Sequence, residues 1–222
     1  MKCLAILGAS GHGKVIADSA EQTGWDQIVF FDDAWPSLQA NGRYVVAGDT
    51  EALLKRLGEY QGVIVGIGNN AIRMKKHRLL AEHGAPLASI IHPSACISPH
   101  AHIGPGTAVM ANAVINTDSR LGLSCIVNTG ATIDHDCMIG DGVHVCPGAH
   151  VAGGVEIGND SWIGIGSCVR QSIVIGRNLM VGAGAAVVSD VPNGCTVVGV
   201  PARVVEKQDP SPVRAERLGG SP

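Results

Sequence analysis

Residues 133–150 read IDHDCM-IGDGVH-VCPGAH, consecutive blocks of six that begin with Ile133, Ile139 and Val145. The register continues in both directions without an insertion. Upstream it passes through Val127, Leu121, Ile115, Val109, Ile103 and Ile97 to Ile91. Downstream it runs through Val151, Ile157, Ile163, Val169, Ile175 and Val181 to Val187. The fifth positions are nearly all small or aliphatic, as in Ala95, Thr107, Ser119, Cys125, Ala131, Val143, Ser161 and Ala185. Glycine often follows the aliphatic residue, as at Gly104, Gly122, Gly140, Gly158, Gly164, Gly176 and Gly182.

A strict period of six is the signature of a parallel β-helix. Each block supplies one short strand and one corner, so three blocks close a triangular coil. The aliphatic residue points in, the small residue fits beside it, and glycine or a polar residue turns the corner. At about 4.8 Å between coils, the run from Ile91 to Pro192 makes nearly six coils, a prism roughly 25–30 Å long. One block alone buries nothing, so stability comes from stacking. A Val/Gly-rich sandwich would not keep one register over so many turns.

The 222 residues suit one large domain or two modest ones. The 3% aromatic content fits a prism too narrow for rings. A net charge of −3 without a basic run argues against a nucleic-acid surface. The apolar run Cys3 to Leu7 is too short for a signal peptide, and no segment reaches transmembrane length. No membrane partner is expected. Seven cysteines without a CxxC pair suit a reducing cytoplasm with no disulfide and no metal, and Cys125 and Cys137 read as small core residues.

Ahead of the prism, strands and helices alternate. Lys2 to Leu7, Ile28 to Phe31 and Gly62 to Gly66 read as strands. Helical patterns place Val15, Ile16, Ser19, Ala20 and Thr23 on one face, then Leu53, Leu54 and Leu57 on another with Thr50 as N-cap. A basic amphipathic helix ends near His83. The expected organisation is a small α/β domain over 1–85, a linker over 86–94, the β-helix over 95–204 and a loose tail over 205–222.

The turn Gly8-Ala9-Ser10-Gly11-His12-Gly13 follows a strand and opens a helix, where backbone N–H groups can meet a phosphate. Asp32 and Asp33 end the next strand, and Gly68-Asn69 follows the third, so all three lie at the carboxyl edge where open parallel sheets bind ligands. The set reads as a nucleotide cradle in a domain too short for a full dinucleotide fold. A plain strand-to-helix turn is the other reading.

In the prism, residues eighteen apart stack on one wall or corner. His135 occupies a corner, beside Asp136 and stacked with Thr117, Gly153 and Gln171. A histidine with an orienting carboxylate is a candidate general base, and a backbone N–H at Gly153 is a candidate oxyanion donor. His144 is expected to face outward on a flat wall with Ile126, Trp162 and Met180. Half a coil separates it from the His135 corner, so the two meet only if two prisms pack side by side. The His150 wall, with Val114, Thr132, Cys168 and Ala186, is apolar enough to suggest a subunit contact. His100 and His102 read as surface. A prism carbonic anhydrase would need a close His-x4-His pair, which His135, His144 and His150 do not form. A non-catalytic nucleotide sensor would not need the His135-Asp136 pair.

With the glycine-rich turn, Phe31-Asp32-Asp33, Gly66-Ile67-Gly68-Asn69-Asn70, Ile133 to Gly140 and Val200-Pro201-Ala202-Arg203, nearly the whole chain to Val204 resembles the left-handed β-helix hexapeptide acyltransferases of the PglD/NeuD type. The resemblance implies a Rossmann-like α/β domain joined to a left-handed parallel β-helix, a homotrimer, and acetyl-CoA in the groove between prisms. It implies transfer of an acetyl group to the 4-amino group of a UDP-linked amino-deoxysugar for a bacillosamine-type glycan, with O-acetylation of a sialic acid or related sugar as the alternative. His135 matches the general base, and Asp136 stands where the family has glutamate. That one-methylene loss leads us to expect a looser or water-mediated contact. His144 matches a residue contacting the acetyl group or cofactor, Gly153 the thioester-facing N–H, and Ile165 and Ala183 backbone contacts with coenzyme A. Ser10, Gly11, His12, Asp32, Asp33 and Gly68 match positions that hold the UDP-sugar.

Overall fold

From Ile90 to Val187 the chain forms seventeen two-residue strands, one per block of six, in a computed structural model that describes residues 1–207. Strands eighteen residues apart pair in parallel, as Thr132 with His150 and Ile133 with Val151. The parallel β-helix expected from the register is present. Its three walls are sheets of six, five and eight strands. From Val109 to Val187 every aliphatic first position is 5% exposed or less. Ile91 is 37% exposed, because no coil lies beneath the first. Buried hydroxyls at the small positions bond across coils: Ser119 Oγ donates to Asp134 O and accepts from Cys137 N.

The corners add a rule that the aliphatic periodicity does not reveal. Every fourth position from Gly106 to Gly184 has φ between +51° and +73°, and each is Gly, Asn, Asp or Ser. Gly, Asn and Asp tolerate the left-handed region best, and Ser stands at only two of these corners, Ser124 and Ser172. The prism closes with Cys195–Val198, parallel to Met180–Val181, followed by antiparallel Arg203–Lys207. The tail expected over 205–222 begins inside that last strand and otherwise lies outside the described residues.

The α/β domain holds β1 (Cys3–Leu7), α1 (Gly11–Glu21), β2 (Gln27–Phe31), a small hairpin of β3 (Ala40–Asn41) and β4 (Tyr44–Val45), α2 (Thr50–Lys55), β5 (Gly62–Val65) and α3 (Asn70–Glu82). The parallel sheet has the order β2-β1-β5. The N-cap of α2 is Asp49 rather than Thr50, its side chain accepting from Ala52 N at 2.8 Å. Thr50 is instead drawn to Asp33, through both its N–H and its hydroxyl. The chain then passes directly between the two bodies. Leu87 still bridges Val63, and Ile90–Ile91 already pairs with Ala108–Val109.

Helix α3 docks the domain onto the prism, and its buried face is largely polar: Asn70, Arg73, Met74, His77 and Leu80. This face lies along one file of left-handed corners, Gly106, Ser124, Gly142 and Asp160. A Cβ on Gly106 would lie 2.7 Å from His77 Nδ1, and one on Gly142 would lie 2.5 Å from Met74 Cγ. Glycine at these corners therefore supplies both the backbone conformation and the room for the helix.

Candidate active site

His135 stands on its corner with its side chain 58% exposed, and its Nδ1 meets Asp136 Oδ2 at 2.7 Å. The contact is direct, so the shorter aspartate does not loosen it as expected. Asp136 has φ +58°. It is thus also the corner-forming residue, and this conformation suits aspartate better than the longer glutamate. The Asp136 carboxylate raises the His135 pKa above the ordinary imidazole value, with Asp134 adding to the effect. Asp134 Oδ1 accepts from His135 N and from Asn116 Nδ2, fixing the corner from the coil below.

Gly153 lies directly against the imidazole. A Cβ there would come within 2.5 Å of His135 Cε1 and 2.6 Å of Nε2. Among the described residues, the Gly153 N–H bonds to no acceptor, while its carbonyl accepts from Ser172 N. A basic nitrogen and a free N–H donor therefore flank one exposed corner. Ile165 and Ala183 are stacked on a different corner file, Gly184 N donating to Ile165 O, and both are exposed.

His144 differs from expectation in one respect. It stacks with Ile126 and Trp162 as the register requires. It is not an open outward face, however, because the α/β domain covers it and leaves it 5% exposed. Its Nε2 lies 3.1 Å from Asn128 Nδ2, and its ring centroid is 4.3 Å from Trp162 and 6.2 Å from His12. Burial pushes the pKa of His144 down to about 3 and that of His12 down to about 4, with the Arg73 charge acting in the same direction. Both rings are neutral at physiological pH. Among the described residues, His12 Nε2 is buried without a hydrogen-bond partner, and His144 Nδ1 faces the Gly68 backbone without a hydrogen bond of normal geometry. The structure thus brings His12 of the glycine-rich turn to His144 of the prism, a meeting that sequence spacing does not encode.

The glycines of the cradle divide by physical cause. A Cβ on Gly13 would lie 2.2 Å from Gly8 O, and one on Gly66 would lie 2.8 Å from Gly13 Cα. Those glycines allow β1, α1 and β5 to pack closely. A Cβ on Gly11 or Gly68 would meet nothing within 4 Å, so the protein's own packing requires glycine at neither. Ser10 Oγ donates to Gly66 O at 3.0 Å. Asp32 accepts from Ala9 N at 2.7 Å and from Ala34 N at 2.9 Å, so it ties the turn to β2. Asp33 binds Thr50 and Lys76 Nζ, which outweigh the opposing effect of burial and lower its pKa. Lys76 and Asn128 were not visible as site residues. Asn128 lies within reach of the His144 wall by register alone, whereas Lys76 reaches Asp33 only through the docking of α3.

The profile of the PglD N-terminal domain matches residues 3–80. The chain is similar to the acetyltransferase domain of PglB from Neisseria gonorrhoeae FA1090, solved with acetyl coenzyme A. They share 43% identity over 92% of this chain and 99% of that one, with a TM-score of 0.88. PerB from Caulobacter crescentus, solved with CoA and GDP-perosamine, is 38% identical over 92% of this chain and 97% of its own, with a TM-score of 0.87. UDP-N-acetylbacillosamine N-acetyltransferase of Bacillus subtilis (strain 168) is 36% identical over 114 residues, half of this chain. The matches to curated relatives span 52% to 66% of those proteins.

Proposed function

Since the chain belongs to the PglD/NeuD-type hexapeptide acetyltransferases, enzymes that acetylate nucleotide-sugar amines with acetyl-CoA, we propose that its own acceptor is the 4-amino group of a UDP-linked amino-deoxysugar, made for a bacillosamine-type glycan. The uridine choice is supported by the similarity to the Bacillus subtilis enzyme, whose name specifies a UDP-sugar. The observation that carries the mechanism is the His135 corner, where a carboxylate-paired imidazole lies against the free Gly153 N–H.

In this mechanism the acceptor ammonium releases one proton to water, and His135 Nε2 takes the second as the neutral amine attacks. The nitrogen attacks the thioester carbonyl, and the oxyanion accepts a hydrogen bond from Gly153 N–H. Collapse expels the thiolate of coenzyme A, which receives a proton from His135. Asp136 holds the ring and favours its protonated form. Ile165 and Ala183 offer exposed backbone along the path of coenzyme A. The nucleotide lies over Gly11 and Gly68, where open space permits close approach, near Ser10, Asp32 and Asp33. The separation of the His135 corner from the His144 wall supports a homotrimer with sites between prisms, and the exposed wall of His150, Cys168 and Val114 supplies a contact face. Seven free cysteines support a cytoplasmic location.

Incubation with acetyl-CoA and matched UDP-, GDP- and dTDP-linked amino sugars, read by mass spectrometry, tests the reading. A UDP-4-amino sugar should gain one acetyl group on nitrogen. Turnover confined to GDP-linked acceptors, or acetylation on a hydroxyl, would overturn the proposed substrate.

A further inference from the structure

Arg73 is 1% exposed and is the largest fully buried side chain among the described residues. A guanidinium has five N–H donors in a rigid plane, and here each finds an acceptor. Nε donates to Ser124 O at 2.8 Å. Nη1 donates to Ile67 O at 3.1 Å and Gly68 O at 2.8 Å. Nη2 donates to Asn70 Oδ1 at 2.9 Å and Gly142 O at 2.7 Å. All five acceptors are neutral, so no carboxylate offsets the buried charge directly. Burial lowers its pKa to about 10, which leaves it charged at neutral pH.

Its acceptors come from two places. Ile67 and Gly68 form the loop after β5, and Ser124 and Gly142 are left-handed corners of adjacent coils. Asn70 extends the same bridge, its Nδ2 donating to Asp160 O at 3.0 Å and Ser161 O at 3.1 Å. We propose that Arg73 is the positioning residue that sets the nucleotide-sugar cradle in register with the acyl-transfer surface of the prism. The inference rests on reading the α/β domain as that cradle. On that reading the acceptor amine is carried by the α/β domain and the thioester lies in the groove between prisms, so the placement of the domain on its own prism decides whether nitrogen and carbonyl carbon reach attack distance. A planar fork fixes both translation and rotation between the bodies. A lysine, with three donors on one flexible point, fixes neither.

The test uses the full chain carrying Arg73→Lys, with Asn70→Ala as a milder second break and Leu53→Ala as a stability control. Leu53 is buried in the α/β core and supplies no hydrogen bond to the bridge. Arg73→Lys should lower kcat roughly tenfold or more and raise the KM for the nucleotide sugar, leaving the KM for acetyl-CoA unchanged. Asn70→Ala should show the same pattern more weakly. Amide exchange over residues 66–70 should quicken in both. Leu53→Ala should lower Tm yet keep kcat at saturation. Wild-type kcat and KM in Arg73→Lys, or an equal loss of kcat in Leu53→Ala, would overturn the proposal. Should the wild type acetylate no nucleotide amino sugar, the functional reading fails on its own. Exchange over 66–70 then decides the bridge, and unchanged exchange in both variants removes it.

Discussion

The prism and the α/β domain place their chemistry differently. In the prism, the interior is aliphatic or small, hydroxyls at its inward positions such as Ser119 and Ser161 bond to backbone, and His135 sits outside on a corner. In the α/β domain, the groups facing the prism are themselves buried: Asn70, Arg73 and His77, with His12 largely enclosed. A corner residue of the prism can change without opening a cavity. On the proposed reading a seam residue belongs to both the fold and the site, so function is separable from stability in the first region and coupled to it in the second.

The sharpest break of this contrast is His135→Ala. The ring lies outside the core, so Tm should hold within a few degrees while kcat falls roughly 10²–10⁴-fold, measured by steady-state kinetics and calorimetry. Near-normal turnover in the folded variant would place the base elsewhere. Gly153→Ala follows, because its Cβ collides with the imidazole and must move the base. A displacement near 1 Å costs about 10²-fold, and kcat unchanged in a crystal showing an unmoved ring would refute the packing argument.

On the cradle side, Gly11→Ala should raise the KM for the nucleotide sugar about tenfold, roughly 1.4 kcal/mol, leaving the KM for acetyl-CoA unaltered. Its Cβ meets nothing, so Tm should stay level or rise slightly. Equal changes in both KM values would remove the case for a separate cradle.

The seam predicts acid sensitivity. His12 and His144 have folded-state pKa values of about 4 and 3, below the unfolded value of about 6.5. Between those values the unfolded chain binds more protons, so stability falls as pH drops below 6.5, at about 1.4 kcal/mol per pH unit for each ring. Unfolding at pH 5 should take up about two protons, one on each ring. A Tm that stays level between pH 7 and pH 4.5 would contradict this burial. The smallest effect belongs to Asp136→Asn. Asparagine tolerates the left-handed corner, so the fold should hold. The limb of kcat/KM that rises with pH reports loss of the His135 proton, and Asp136 raises that pKa. The limb should therefore move to lower pH in the variant, and an unmoved limb would detach Asp136 from the base.

The sequence alone determined the prism, its register and which residues share a corner, because in a repeating coil a spacing of eighteen is a fixed distance in space. It therefore stacked Gly153 on His135 and His144 beside Trp162. It also carried, unread, the left-handed fourth position that makes Asp136 a corner residue. The tertiary structure alone decided what the α/β domain covers. The burial of His144, the approach of His12, the capture of Asp33 by Lys76 and the fivefold satisfaction of Arg73 all follow from docking α3 along one corner file. No period links these residues, since contacts between the α/β domain and the prism depend on complementary surfaces rather than on separation along the chain.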